Sequence, residues 1–461
     1  MTGRILSESG QEKLSFYKRA AAITAPIALQ NLMDAAVSSA DVIMLSFVSQ
    51  TALAASSLAG QIAFVQQMLL YGISSGASVL SAQYWGKGDR RAVERVMGLS
   101  LRITLIFSVC LSLAAAIVPS LLMRIFTNDP ELIAAGRSYL QAVSASYLLG
   151  GFCSVYLSVM RSVDRVRISA AVHCSAVILN VLLNACFIFG LGPFPSLGIV
   201  GVALATSITR LLEFIVCQID GRLCRVIRLH LGDILARGGQ LMRDFSRYSI
   251  PAAANDLVWG LAFSVYSIIL GHLSSDIVAA NSVASVVRNL ATVVCFGVSS
   301  SAAIILGQMM GKGRLEYARV CARRFVWLSV WTAIAGGIMI LLYRPLILQF
   351  MHYYVTVTDV VRSELNTMLY INSYYVLGQS VNTMLICGVF RAGGDVRFGL
   401  RCDIFSMWVY AVPIGLLCAF VFKLPEMTVY FILCLDEFVK MPFNFIHYNR
   451  GKWLQNITRD L

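Results

Sequence analysis

The chain has 461 residues, 58% of them hydrophobic and 13% charged, with a formal net charge of +13. A soluble protein carries about 25% charged residues, and its helices need charged faces that are missing here. The apolar residues come in blocks of roughly 20 or more, enough for a helix to cross the ~30 Å hydrocarbon core, and they lack the short alternating pattern of a β-barrel. The composition therefore predicts an all-α integral membrane protein.

Twelve transmembrane spans are expected, at 20–47, 52–82, 96–123, 133–160, 167–191, 198–222, 246–272, 277–309, 318–350, 360–390, 398–422 and 427–448. The first 19 residues include Glu8, Glu12, Lys13, Lys18 and Arg19 and do not form the apolar region and small-residue cleavage site of a signal peptide, so span 1 is expected to be retained. On span 1, Asn31, Asp34, Ser38 and Asp41 recur at steps of three, four and three, which places them on one stripe of a helix. Leu29, Leu32, Ala36, Val37, Ala40, Val42 and Ile43 fill the other faces. A carboxylate facing hydrocarbon is expensive, so the seam is expected to face a cavity or a polar partner. Pro26 lies one turn before it, where a missing N–H favours a bend.

Spans 2 and 8 are followed by "GKGD" and "GKGR". Both lack the spacing of a phosphate-binding loop and read as helix C-caps followed by basic turns. Span 5 carries Asn180 and Asn184, four apart on one face, and span 6 carries Thr206. At 1.5 Å per residue Asp41 lies about 9 Å inside the outer end of its span, and the two asparagines and the threonine fall in the same layer. Together they would supply an oxygen cage for Na⁺, with Asp41 and Asn180 as ligands, or a buried carboxylate that takes up a proton. The alternative is that the asparagines pack between helices and hydrogen-bond locally. Arg210 with Glu213 on span 6, and Asp436 with Glu437 near the end, read as local or interfacial pairs. Asp256 and Arg288 are the buried charges of the second half, either paired or lining a cleft.

The chain repeats itself. "YGISSGASVLSAQYWGKG" at 71–88 matches "FGVSSSAAIILGQMMGKG" at 296–313, with eight of eighteen positions identical at an offset of 225. The same offset relates Pro26 to Pro251, while "VMRSVDRVR" and "VFRAGGDVR" pair at an offset of 230. Two six-helix lobes are expected, 1–220 and 249–461, joined by a basic linker, 221–248, with an amphipathic surface helix. An even number of spans in each half makes them parallel repeats, an arrangement that suits alternating access. Position 225 beyond Asp41 is Tyr266, and positions 230 beyond Asn180 and Asn184 are Tyr410 and Ile414, so the second lobe does not copy the polar layer.

Lys and Arg concentrate in the even-numbered links, and "SFVSQTALAA", "GPFPSLG" and "GHLSSDIVAAN" contain none. By the positive-inside rule both termini are cytoplasmic, so the charge reports topology, and no nucleic-acid partner is implied. The twelve cysteines are scattered without a CxxC, which argues against a disulfide framework or metal cluster. The five histidines form no cluster in the sequence and there is no HExxH or nucleophile motif, so an enzyme is not expected.

The duplication, the "P…D…LAA" pattern of span 1, the GKG turns, "VFRAGGDVRF" and "LNVLLNACFIFGLGPFPSLGIVGVALAT" together resemble the MATE family, the multidrug and toxic compound extrusion antiporters. The resemblance implies export of a small organic, often cationic, substrate against inward H⁺ or Na⁺. It implies no cofactor and a plasma-membrane location among lipids, and the duplication makes a monomer sufficient. It also implies a cation site at Asp41, Asn180 and Thr206, with Asn184 standing where aspartate is frequent in the family and Ser154 where asparagine is. Asp34, Asn31, Ser154, Asp256 and Arg288 are candidate cavity residues, Asp256 being the nearest match to an acid many members carry on span 7. A flippase for a lipid-linked precursor is the alternative within transport.

Overall fold

The computed structural model describes residues 10–46, 49–191, 193–223, 226–235, 239–354 and 358–460, without the side chains of 10–11, 38–43, 45–46, 50, 231, 235 and 352–354. The Asp41 side chain thus lies outside the described residues. The first half contains α1 (Gly10–Ser46), α2 (Gln50–Lys87), α3 (Arg90–Ile117), the short α4 (Pro119–Arg124), α5 (Pro130–Ser162), α6 (Val166–Phe189) and α7 (Gly198–Leu223). After α8 (Leu231–Leu235) the second half follows with α9 (Gly239–Leu273), α10 (Ser275–Gly311), α11 (Leu315–Tyr354) and α12 (Asp359–Thr383). A π-helical stretch, Met384–Phe390, continues α12. Then come α13 (Val396–Asp403), which runs on through α14 (Val412–Leu416) to Val421, α15 (Glu426–Leu433) and α16 (Asp436–Arg450).

Ten helical segments among the described residues are long and apolar enough to cross a membrane. The expected spans 360–390 and 427–448 are helical but fall outside that set. α12 buries Asn372, Gln379 and Asn382, which dilute its apolar character, while the last span is broken into α15 (8 residues) and α16 (15 residues), with Asp436, Glu437, Lys440 and Asn444 of α16 buried. With these two the fold has twelve crossings, six in each half. Leu182, Trp327, Trp331, Leu342 and Val409 are more than half exposed, an apolar surface suited to lipid.

The linker expected to carry an amphipathic helix is described only in part. Among its described residues Leu231–Leu235 forms a separate helix, and Gly239–Tyr248 is the first part of α9. Its Asp233 is buried and held by both guanidinium nitrogens of Arg91, at 2.8 and 2.9 Å.

The caps repeat with the sequence. Ser49 and Ser274, 225 residues apart, accept from the backbone N–H groups of Ala52 and Ile277, which satisfies donors that a helix start leaves open. Gly88 closes α2 at φ +87°, and Asp89 caps α3 by accepting from Ala92 N. Gly313 sits at φ +75° after α10. The GKG motifs are therefore the helix ends and turns that their spacing indicates.

The chain divides into two compact units. One comprises the chain to Ala28 and Ala254–Ile457, the other Leu29–Ala253 and Thr458–Leu461. Within the second, α5 is central and packs on α2, α3 and α7. Within the first, α10, α11 and α12 pack mutually. The divisions in α1 and α9 fall 225 residues apart, so each unit contains the start of a helix whose remainder is in the other. A Cβ on Gly72 would lie 2.1 Å from Ala253 Cβ, and one on Gly76 would lie 1.7 Å from Ser249 Oγ, so α2 and the start of α9 touch through glycine. The equivalent contact in the other unit sets Gly297 on Ala28 and pairs Thr24 Oγ1 with Ser301 Oγ at 2.9 Å.

Candidate cation and substrate sites

In the unit containing Leu29–Ala253, α6 and α7 carry the predicted polar layer. Asn184 Nδ2 donates to Asn180 Oδ1 at 3.2 Å, Asn180 Nδ2 donates to Thr206 Oγ1 at 3.4 Å, and Thr206 Oγ1 donates to Val202 O at 3.0 Å. The four-residue spacing of the asparagines on α6 aligns them, and Thr206 meets them from α7. Asn184 is buried. Each carbonyl or hydroxyl oxygen used here still has a lone pair to offer, so the chain is compatible with local packing and with cation ligation. Among the described residues no group of three or more His, Cys, Asp or Glu is arranged to hold a metal ion.

Asp34 has a partner that the sequence pattern did not suggest. Its Oδ1 lies 2.8 Å from His173 Nε2 on α6. His173 Nδ1 lies 3.5 Å from Glu213 Oε1 on α7, and Glu213 Oε2 accepts from Arg210 Nη1 at 2.6 Å. Glu213 and Arg210 therefore do not form an isolated interfacial pair. The Glu213 side chain is fully buried, whereas that of Asp34 is 54% exposed. One turn before Asp34, Gln30 Nε2 donates to Ser169 O at 3.1 Å, one turn before His173. Two successive turns of α1 are thus fastened to two successive turns of α6. An ionisable histidine at membrane depth was the available signal, and its partners became visible only with the helix pairing.

Among the other candidates, Asn31 is half-buried on α1. Ser154 Oγ lies 3.3 Å from Ser74 Oγ, bridging α5 and α2.

The remaining unit contains a second charged network. Asp256 does not pair with Arg288. It accepts from Arg391 Nη2 at 2.9 Å, and Arg391 also reaches Asn255 Oδ1 at 3.3 Å. Arg391, counted with the basic link after span 10, is turned inward. Asn255 Nδ2 donates to Asp403 Oδ2 at 2.6 Å, and Lys440 Nζ bridges Asp403 Oδ1 at 2.8 Å and Glu437 Oε1 at 2.9 Å. Asp436 is wholly buried and accepts from the Tyr266 hydroxyl at 3.3 Å. Asp436 and Glu437 are therefore core residues, not an interfacial pair. Arg288 lies 5.4 Å from the ring centres of both Phe263 and Tyr375, where the ring faces attract its charge.

A MatE family model matches residues 26–186 and 251–417, well over half the chain and in register with the repeat. The chain is 20% identical over 434 residues to the uncharacterised transporter YisQ of Bacillus subtilis, covering 94% of each chain. It is 21% identical over 430 residues to a probable multidrug resistance protein, NorM, of Thermotoga maritima, covering 92% of this chain and 90% of that one. Among solved structures, an outward-facing multidrug resistance MATE transporter superposes with a TM-score of 0.85 at 18% identity, over 94% of this chain and 96% of that one.

Proposed function

Because this chain belongs to the MatE family of multidrug and toxic compound extrusion transporters, we propose that it is a secondary antiporter exporting small organic, often cationic, compounds in exchange for H⁺ or Na⁺. The observation that supports this reading is the hydrogen-bonded Asn184–Asn180–Thr206 chain, which joins on α6 and α7 the polar residues expected by their spacing to share a layer with Asp41. In the proposed cycle a proton or Na⁺ enters from outside and neutralises Asp41. The loss of charge biases α1 toward a state that releases substrate outward, and the return to a cytoplasm-facing state reloads it. Rocking of parallel repeats supplies the alternation. Asn31, Asp34 and Ser154, and Asp256 and Arg288 in the other unit, are the proposed substrate contacts.

The basic even-numbered links support cytoplasmic termini, the family supports a plasma-membrane location, and a single duplicated chain is sufficient as the transporting unit. The lipid-precursor flippase gains no support from the relatives described above, which are named as a transporter and multidrug resistance proteins. The test is efflux of cationic dyes from proteoliposomes, with the Na⁺ and proton gradients varied separately. Asp41→Asn is expected to abolish gradient-driven efflux while leaving the purified protein folded. Full efflux in that variant would remove Asp41 from coupling.

A further inference from the structure

The Asp34–His173–Glu213–Arg210 chain crosses from an exposed carboxylate to a fully buried one through a single imidazole. Glu213 Oε1 has no hydrogen bond among the described residues and faces His173 Nδ1 at 3.5 Å. Both ring nitrogens thus face carboxylate oxygens, an arrangement that favours the doubly protonated ring. With imidazolium present, Asp34, His173, Glu213 and Arg210 sum to zero charge. Arg161 on α5 adds one further positive charge near Asp34, so the carboxylates facing both ring nitrogens, and not the net charge, are what favour the imidazolium. Cys153 on α5 lies near Glu213 and Arg210. Cys174, next to His173, also lies in range of Asp34.

We propose that Asp34 and His173 form an exchange site at which one monovalent organic cation and one proton exclude each other. This rests on the organic-cation reading above and adds a proton carrier distinct from Asp41. The cation docks on the exposed side of Asp34 and neutralises the carboxylate that holds the Nε2 proton. That N–H bond breaks, the proton leaves by way of Asp34 to water, and the Nδ1–H remains directed at Glu213. One positive charge enters and one departs, so the cluster keeps the same total. The exposed carboxylate selects a cation, while Arg161 and Arg210 make the cluster unsuitable for two. Glu213 is a positioning residue: its buried charge holds the ring protonated until the cation arrives, and Arg210 fixes its orientation.

The experiment is calorimetric binding of tetraphenylphosphonium to the full-length protein in detergent between about pH 5 and 9, in two buffers of different ionisation enthalpy, so that released protons are counted. In the wild type about one proton is expected per bound cation, and affinity rises up to about tenfold per pH unit where the ring is doubly protonated. His173→Gln is expected to flatten that slope and abolish the release. Glu213→Gln keeps the slope but moves it to lower pH, because it removes a counter-charge from the imidazolium. Unchanged proton release in His173→Gln overturns the proposal. So does loss of release in Asp41→Asn together with its retention in His173→Gln. If His173→Gln does not fold, an unshifted slope in Glu213→Gln overturns the proposal and a shifted one supports it. A wild type that binds the cation without proton release refutes this exchange alone. A wild type that binds none at any pH refutes the organic-cation reading as well.

Discussion

Lys440 is a buried charge held between two buried carboxylates. Its side chain is 3% exposed, and those of Asp403 and Glu437, both within 2.9 Å, are 6% and 1% exposed. In Lys440→Met the donors left to the two carboxylates among the described residues are neutral, Asn255 Nδ2 on Asp403 and Asn382 Nδ2 on Glu437. Removing one partner from a buried ion pair costs about 3–5 kcal/mol, because the remaining charge keeps its desolvation penalty. At about 2–4 °C per kcal/mol for a unit of this size, the midpoint of thermal unfolding should fall by at least about 6 °C. It can be read as loss of the monodisperse peak in size-exclusion chromatography after heating in detergent. Adding Asp403→Asn and Glu437→Gln removes the orphaned charges and should recover most of the loss. A shift under about 2 °C, or a triple variant no better than the single one, would refute the assignment of Lys440 as the neutralising centre.

Gly76→Ala forces a methyl into Ser249 Oγ, and overpacking of this kind costs about 1–3 kcal/mol. Ser249→Gly in the same chain should recover only part of that loss, because Ser249 Cα still lies 3.0 Å from the new methyl and a helix-interior glycine costs about 1 kcal/mol. Thr24→Val breaks the hydroxyl pair with Ser301 and should cost about 1 kcal/mol, read in the same thermal assay. Lys423 has φ +49°, a region that costs a residue with a Cβ about 1–2 kcal/mol. Lys423→Gly should therefore raise the melting temperature by a few degrees, and a fall would show that the lysine side chain makes a compensating contact.

Several features were legible because their signals are local. The span positions follow from apolar runs, and the GKG turns follow from a glycine at a helix end. The Asn180–Asn184–Thr206 chain follows from a four-residue spacing and a depth count. What escaped was whatever depends on which helices face each other. Glu213 and Arg210 are three apart on α7, so they looked self-contained, yet His173 on α6 joins Glu213 to Asp34. Asp436, Glu437 and Lys440 stand near the chain end, where ionisable residues usually meet headgroups, but the fold turns them into the core. A similar inward turn of polar side chains dilutes the apolar character of α12. Arg391 matched the pattern of a topology-setting charge, and only its 2.9 Å contact with Asp256 shows its second use.

The reciprocal exchange of helix starts bears on how the gene can be divided. A fragment beginning at the linker would contain α10 but lack the stretch carrying Thr24 and Ala28, leaving the groove at Gly297 and Ser301 bare. The complementary fragment would leave Gly72 and Gly76 without Ala253 and Ser249. Neither sequence half is then an autonomous folding module. Each sequence half supplies a helix start that the other half's unit needs, so only co-expressed fragments are expected to regain a stable protein.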